Sequence, residues 1–231
     1  METPAHTLET ASSQSDQQRR GIRITLAVIA LFIAAVMAGF INKITTPRVL
    51  SDLELRANGT FVFEQPRIFK DFSLVNHKGQ PFTLAQLEGK WSLVFFGFAS
   101  CPDICPTTLA LLKQVNDQLN DDIREQVQVI MVSVDPARDD VASLSQYMPH
   151  FDPEFIGLTG DFLEIKRLAT QLSAAFVKVR TGEHADDYTV DHSANIMLIN
   201  PRGHYHGFIK PPLDAPRVKL TLQSLVTRFN G

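Results

Sequence analysis

A predominantly apolar run without charges, Trp91–Phe98, leads directly into a loop that carries both cysteines of the chain, Cys101 and Cys105. A continuous apolar run of this length is typical of a strand that is buried on both faces of a sheet. A helical pattern follows at Thr107–Leu119. The order of strand, two-thiol loop and helix predicts a functional site at one end of a buried strand.

The segments around this loop alternate between strand and helix patterns. A second β-branched run, Val127–Val134, ends at Asp135-Pro136. Hairpins are predicted at Phe72–Leu84 and Ala194–Ile209, on either side of the alternating region. The shorter predicted elements are a helix capped by Asp139 or Asp140, a strand at Phe155–Leu158, a helix started by Asp161 and Glu164, a strand at Phe176–Val179, a polar loop at 182–188 and a last helix started by Asp214. This order predicts an α/β, thioredoxin-like fold with an N-terminal β-hairpin extension.

Ile24–Ile41 contains eighteen residues and no charge, which is about the minimum length for a helix that crosses a bilayer. Basic residues are concentrated before this run, so we expect the N-terminus in the cytoplasm and residues 44–231 on the exported side. A cleavable signal peptide is the alternative, although the apolar run exceeds the usual core of about 7–15 residues. Acidic residues in the N-terminal tail argue against a mitochondrial presequence. We therefore expect a single-pass protein of the bacterial inner membrane, with its soluble domain in the periplasm.

The expected organisation is a disordered cytoplasmic tail at 1–20, a transmembrane anchor at 21–43, a linker at 44–66 and a thioredoxin-like domain at 67–231. A domain of about 160 residues buries a full core without needing disulfide bonds for stability, so the cysteines are free for chemistry.

The formal net charge is −3, with no long run of either sign. Nucleic-acid binding, which requires a basic face, has no support.

The spacing of the thiols is C-x-x-x-C, one residue longer than the C-x-x-C of thioredoxin redox motifs. A disulfide holds two sulfurs about 2.05 Å apart, whereas two thiolates on one metal lie roughly 4 Å apart. The added residue relaxes the loop toward the wider separation without forbidding a disulfide. A structural bridge over so small a loop would stabilise only weakly. If Cys105 lies in the first helical turn, the helix amides and dipole would stabilise its thiolate.

Two thiolates are too few for a structural zinc site, which uses four ligands, whereas soft thiolates select Cu(I) and an imidazole can complete a three-coordinate site. His192 is the best third ligand among seven histidines, because it follows a polar loop and is predicted to open an apolar strand. Asp191 beside it could orient the imidazole. A histidine in such a position is, however, more often a hydrogen-bonded surface residue. His204 and His206 alternate onto one strand face, which is either a second metal pair or an exposed face.

The segment Phe96–Pro106 resembles the Sco/SenC family of copper proteins, which act in the assembly of cytochrome c oxidase. Two further segments match in the same order, Val132–Pro136 with Arg138-Asp139 and Tyr188–Ser193, and the resemblance covers roughly residues 65–229. Ala99-Ser100 departs from the bulkier or more polar residues expected there. The departure leaves the ligand set intact but puts the partner preference in doubt.

The resemblance implies a thioredoxin-like protein that binds one copper ion, as Cu(I) or Cu(II), through Cys101, Cys105 and His192. Asp135 is expected to be a structural residue beside the site and not a ligand. The leading hypothesis is a metallochaperone that delivers copper to the binuclear copper site of cytochrome c oxidase. Its expected partners are the copper-bearing oxidase subunit and the lipid bilayer, with other periplasmic copper chaperones or thioredoxin-like reductants as further candidates.

The alternative is a thiol–disulfide oxidoreductase that reduces the copper-site cysteines of the oxidase. It would use Cys101 and Cys105 as a redox pair and would not need His192. A peroxidase is a third possibility, which requires a peroxidatic cysteine poised for attack.

Overall fold

The computed structural model describes residues 6–45, 48–184 and 187–230. The chain divides into an N-terminal unit that ends at Pro47 and a larger unit that begins at Arg48. In the N-terminal unit, helix α1 spans His6–Thr45, so the described part of the polar tail is helical where disorder was expected. The portion Arg19–Ile41 is long and apolar enough to cross a membrane, and its side chains are exposed. Exposed apolar surface of this extent is unfavourable in water, which fits a single-pass membrane anchor.

The larger unit is an α/β fold with one main sheet. Its helices are α2 (Asp52–Ala57), α3 (Ile104–Gln118), α4 (Asp121–Arg124), α5 (Val141–Tyr147), α6 (Phe162–Gln171) and α7 (Ala215–Asn230). Its strands are β1 (Thr60–Arg67), β2 (Leu74–Asn76), β3 (Pro81–Phe82), β4 (Trp91–Gly97), β5 (Val127–Ser133), β6 (Ile156–Thr159), β7 (Phe176–Arg180), β8 (Tyr188–His192), β9 (Ile196–Ile199) and β10 (Tyr205–Ile209). Eight strands pair in the order β1-β10-β9-β4-β5-β6-β2-β3, and β7 pairs with β8 in a separate hairpin.

The centre of the sheet is parallel and its margins are antiparallel, as the sequence predicts. Strands β4, β5 and β6 run in parallel, with Trp91 opposite Val127 and Gly97 opposite Ser133. Strand β9 joins the other side of β4 in the antiparallel sense, and β10 and β1 continue from it. The thioredoxin-like α/β fold is thereby confirmed, with extra strands at both margins.

Successive residues of β4 enter different cores, which explains its unbroken apolar run. Leu93 and Phe95 belong to the core that contains residues of α3 and α7, whereas Val94 and Phe96 belong to the core that contains residues of α6. All seven residues of β4 are buried. A strand covered on both faces cannot alternate between apolar and polar residues.

The segment expected to be a linker is mostly structured from Arg48 onward. Ser51 and Glu54 form a reciprocal capping box that starts α2, and β1 then adds an edge strand to β10. Leu50 and Leu55 are buried, which ties this segment to the domain. The compact unit therefore begins before residue 67, because these short apolar anchors dock the lead-in onto α7 and β10.

Most predicted elements are present, with two differences that affect the site. The hairpins β2–β3 and β9–β10 are confirmed. Helix α3 begins at Ile104, three residues before the predicted start at Thr107. Strand β8 was not predicted, and His192 closes it instead of opening the following strand. The alternating, partly polar residues of β8 lack the continuous apolar signal that marked β4 and β5.

Candidate metal centre

The two thiols lie where β4 ends and α3 begins. Cys101 is half-buried in the connecting loop, and its N–H donates to the Phe98 carbonyl oxygen over 3.1 Å. Cys105 lies in the first turn of α3 and is fully buried. Neither cysteine is in a disulfide. One thiol therefore faces solvent in part, while the other is enclosed against the sheet.

Gly97 allows the Cys105 sulfur to approach the end of β4 closely. A Cβ atom at position 97 would lie 2.7 Å from Cys105 Sγ and 3.2 Å from a ring carbon of Phe95. Because contacts under 3.0 Å are essentially never seen for a Cβ atom, any side chain here would displace the sulfur or the strand. The glycine is thus required by the position of the thiol, and not by an unusual backbone angle.

Burial raises the pKa of the Cys105 thiol far above its ordinary value, and the neighbouring Cys101 and Asp139 act in the same direction. A backbone hydrogen bond from Phe98 opposes the shift but does not cancel it. The expected stabilisation of a Cys105 thiolate by the helix N-terminus is therefore outweighed by desolvation. A bound cation that replaces the proton would relieve this penalty, since metals bind the thiolate.

His192 reaches the thiols from the end of β8. Its Nε2 atom lies 3.6 Å from Cys105 Sγ, and its Nδ1 atom lies 3.3 Å from the Ser193 carbonyl oxygen. A carbonyl oxygen only accepts, so Nδ1 carries the proton in this contact and the Nε2 lone pair faces the sulfur. The Phe98 ring meets the imidazole edge-on, with centroids 5.9 Å apart.

The ionisation of His192 also favours the neutral ring that a metal requires. Burial lowers the pKa of His192, against smaller opposing contributions from the Ser193 backbone and the Asp191 carboxylate. Asp191 itself is exposed on the strand and lies opposite Val177. The imidazole is therefore oriented by the Ser193 carbonyl, while Asp191 acts on it only through its charge.

Together, Cys101, Cys105 and His192 place two sulfurs and one imidazole nitrogen within 4.8 Å of one another. Among the described residues, this is the group of three or more metal-ligating side chains that the fold brings together. Two soft sulfur ligands and one imidazole suit Cu(I), whereas structural zinc sites use four ligands. The donor set present thus fits copper.

The Asp139 carboxylate anchors the start of the cysteine loop to the end of β5. Its Oδ2 atom accepts hydrogen bonds from the Ala99 N–H at 2.9 Å and from the Ser133 hydroxyl at 2.7 Å. The side chain is 1 % exposed, and burial raises its pKa. The sequence indicated Asp139 as a possible helix cap and as part of a segment that resembles the family, and Asp140 fills the cap by accepting from Ser143 N–H. The local pattern could not show that the carboxylate turns inward.

A cluster of Asp135, Arg138 and Tyr188 joins the β7–β8 hairpin to the body of the domain. The buried Asp135 carboxylate pairs with Arg138 and accepts from the Tyr188 hydroxyl at 2.9 and 3.1 Å. The Arg138 guanidinium lies 4.0 Å from the centroid of the Tyr188 ring. Asp135 is therefore a structural neighbour of the site, as expected. Arg138 and Tyr188 belong to the segments that carried the family resemblance, but their residue types alone gave no sign of this contact.

His206 and His77 make their contacts elsewhere in the larger unit. His206 contacts the Trp91 ring edge-on, with centroids 4.9 Å apart, and its Nδ1 atom lies 3.3 Å from Asn200 Nδ2. His77 is buried and its Nδ1 atom accepts from the Gly157 N–H. His206 and His204 therefore do not join a three-ligand group within the described part of the chain.

Comparison with known proteins agrees with this geometry. Residues 63–227 match the SCO1/SenC family. A Stutzerimonas stutzeri protein named for copper binding is 38 % identical over 160 residues, which cover 69 % of this chain and 78 % of that protein.

Two solved structures have the same fold and were determined with copper bound. Arabidopsis thaliana ScoI is 34 % identical, with a TM-score of 0.61 over 68 % of this chain and 98 % of that one. Yeast Sco1 is 32 % identical, with a TM-score of 0.63 over 72 % of this chain and 90 % of that one. Because the family match spans more than half of its residues, this chain belongs to the SCO1/SenC family.

Proposed function

We propose that this protein binds one copper ion through Cys101, Cys105 and His192 and delivers it to the binuclear copper site of cytochrome c oxidase during assembly. The observation that carries this proposal is the convergence of the three donor atoms within 4.8 Å. The copper-bound structures of two relatives support the choice of metal. Copper is the cargo in this reaction.

The different exposure of the two thiols suits transfer of a metal. Cys105 and His192 are held by the fold, whereas Cys101 is half-buried at the surface. A ligand of a partner protein can therefore compete first at Cys101. Copper binding displaces thiol protons, so affinity should increase with pH.

The direct test is a copper titration of the full-length protein in detergent with matched variants. A Cu(I) competition assay with a chromophoric chelator should give one copper per chain. His192→Ala should lower the affinity by about 100-fold or more, since removal even of residues that merely support a metal site lowers affinity by about 10–100-fold. His184→Ala, in an exposed loop, should bind as the wild type does. Equal affinity of His192→Ala and the wild type would remove His192 from the ligand set.

A thiol–disulfide oxidoreductase is the second candidate. The half-buried Cys101 beside the enclosed Cys105 suits an attacking thiol and a resolving thiol. This role requires both cysteines but not His192. If His192→Ala restores oxidase assembly fully in a deletion strain while Cys101→Ser and Cys105→Ser do not, redox chemistry is the essential function. If all three variants fail, copper delivery is favoured.

We further propose that the apolar helix anchors the protein in the bacterial inner membrane, with residues 1–20 in the cytoplasm, 21–43 in the bilayer and the copper-binding domain in the periplasm. The basic residues before the helix support this orientation. The copper-bearing oxidase subunit would be the main partner there. Other copper chaperones or thioredoxin-like reductants of the same compartment would supply copper or electrons.

A further inference from the structure

Strand β7 has an edge that no other strand covers in the described parts of the chain. It pairs with β8 on one side, and the main sheet does not include it. Four of its five residues are exposed, whereas Val190 of β8 is buried. The hairpin therefore turns β8 toward the domain and presents β7 outward.

Two hydrogen bonds identify the backbone groups that face outward. Ser193 N–H donates to the Ala175 carbonyl at 2.9 Å, and Thr181 N–H donates to the Asp187 carbonyl at 2.8 Å. In an antiparallel pair, residues alternate between facing the partner strand and facing away from it. Residues 175, 177, 179 and 181 thus face β8. The N–H and C=O groups of Phe176, Lys178 and Arg180 point to the open edge.

An apolar groove of about 700 Å³ lies beside this edge, between α6 and β7. Its lining includes Phe162 and Ala169 of α6 and Phe176 and Val177 of β7. Phe162 is 43 % exposed and Val177 is 59 % exposed. A strand added to β7 would gain backbone hydrogen bonds from the edge and would place alternate side chains in the groove. The open edge and the apolar groove each indicate, independently, that an extended segment with apolar side chains binds here.

The charges beside the groove restrict the chemistry of that occupant. Lys166 and Lys178 line it, and none of its lining residues is acidic. The Lys178 ammonium lies 3.6 Å from the buried Asp135, whereas Lys166 has no carboxylate partner among the described residues. A second copy of this chain would bring like charges together, and a bilayer surface offers no strand to pair with β7. The groove therefore fits an extended protein segment with apolar and acidic side chains.

The same edge is continuous with the candidate metal centre, because Phe176 lies directly opposite His192. We propose that β7 is the docking strand for the copper-receiving oxidase subunit, whose extended apolar and acidic segment pairs with Phe176–Arg180. This inference rests on the function proposed above and adds how the partner is recognised. Docking at β7 would bring the partner alongside His192.

The test uses the full-length protein in zwitterionic nanodiscs. Its partner is the oxidase subunit of the same organism that holds the binuclear copper site, prepared without copper. Amide-resolved hydrogen exchange should show the Phe176, Lys178 and Arg180 amides exchanging rapidly alone and at least about 10-fold more slowly with the subunit present. Lys178→Pro removes one outward N–H without removing a β7–β8 hydrogen bond, and Lys178→Ala keeps that N–H. Loss of the edge hydrogen bond should weaken subunit binding about 10-fold in the proline variant relative to the alanine variant.

Lys166→Glu provides a second variant that leaves the strand backbone unaltered. It should also weaken subunit binding by about 10-fold and keep wild-type copper affinity. Lys178→Pro and Lys178→Ala both lose the contact with Asp135, so these two variants should have the same copper affinity as each other. Equal subunit binding by Lys178→Pro and Lys178→Ala, or subunit binding without protection of the three amides, would overturn the docking site.

Protection that appears at higher protein concentration alone, or with anionic vesicles alone, would assign the edge to a second copy or to lipid and would also overturn the proposal. A wild-type protein that binds no copper, yet shows subunit-dependent protection, would refute the copper function and leave the docking site standing. Copper transfer to the subunit without protection of the β7 amides would refute the docking site and leave the copper function standing.

Discussion

His192 Nε2 lies 3.6 Å from Cys105 Sγ, although 87 positions separate the two residues in the chain. The first turn of α3 fixes the sulfur against the end of β4. The imidazole is held at the end of β8, because His192 is the last residue of that strand. The Phe98 ring and the Ser193 carbonyl hold the imidazole from two further directions. The fold thus brings the donor atoms together before a metal binds, which favours affinity because less ordering is required on binding.

Gly97→Ala should disturb this arrangement without removing a ligand. The new Cβ would lie 2.7 Å from Cys105 Sγ, and overpacking of a close-packed core typically costs about 1–3 kcal/mol. We expect a lower free energy of unfolding and weaker Cu(I) binding, measured by urea denaturation and chelator competition.

A double-mutant cycle with Cys105→Ala provides the control for Gly97→Ala. With the sulfur removed, the loss of stability caused by Gly97→Ala should become smaller. An unchanged loss would place the steric conflict elsewhere, with the Phe95 ring as the nearest candidate.

Tyr188→Phe should weaken the attachment of the β7–β8 hairpin. The Tyr188 hydroxyl donates to the buried Asp135 carboxylate, and leaving a buried charged acceptor short of a donor costs about 1–3 kcal/mol. We expect destabilisation together with a several-fold loss of copper affinity, because His192 is carried by the same strand.

Tyr147→Phe is the matched control for that substitution. The Tyr147 hydroxyl is buried and has no hydrogen-bond partner among the described residues, so its removal should be neutral or stabilising. If both phenylalanine variants had equal stability and equal copper affinity, the Tyr188–Asp135 contact would not support the hairpin.

The sequence predicted the parts of the fold that are determined by local pattern. The buried run of β4, the cap at Asp140 and the cap at Asp161 each depend on residues close in the chain, and all three are present. The capping box at Ser51 and Glu54 was readable in the same way but was included in the linker. Strand β8 escaped prediction because it has only five residues and Val190 is the only one of them that is buried.

In the candidate site too, the residues recognisable from local sequence were predicted, whereas contacts that depend on tertiary packing were not. Cys101 and Cys105 stood out because they are the only cysteines and because they follow β4. The distance between Cys105 and His192 depends on how the hairpin packs, which leaves no periodic pattern in the sequence. For this reason the local sequence made His192 only the best candidate among the histidines, and the family resemblance was needed to strengthen its assignment as a ligand. Likewise, the inward turn of the Asp139 carboxylate becomes visible only when β4, β5 and α5 are assembled.

The orientation of the membrane helix can be tested with reporter fusions. Alkaline phosphatase fused after Gly231 should be active, because the enzyme requires export, whereas a green fluorescent protein fusion there should be dark. Substituting Arg19, Arg20 and Arg23 by Ser should reduce the phosphatase activity by removing the basic excess before the helix. Retention of an N-terminal epitope tag on the mature membrane protein would distinguish an anchor from a cleaved signal peptide.

Stability should fall with decreasing pH between about 6.5 and 4 because of His206. Burial, followed by the nearby Arg228, lowers the pKa of His206 to about 4 in the folded protein, whereas an unfolded histidine titrates near 6.5. Within this interval the unfolded state binds a proton that the folded state does not, so the free energy of unfolding decreases as pH falls. The expected contribution is roughly 1–3 kcal/mol, fully present above pH 6.5 and lost by about pH 4.

His206→Gln should flatten the pH profile of the free energy of unfolding relative to the wild type. Urea denaturation of residues 48–231 reports this directly, because the sole tryptophan, Trp91, lies 4.9 Å from the His206 ring. Parallel pH profiles for the two proteins, at equal denaturant sensitivity, would contradict the assignment to His206.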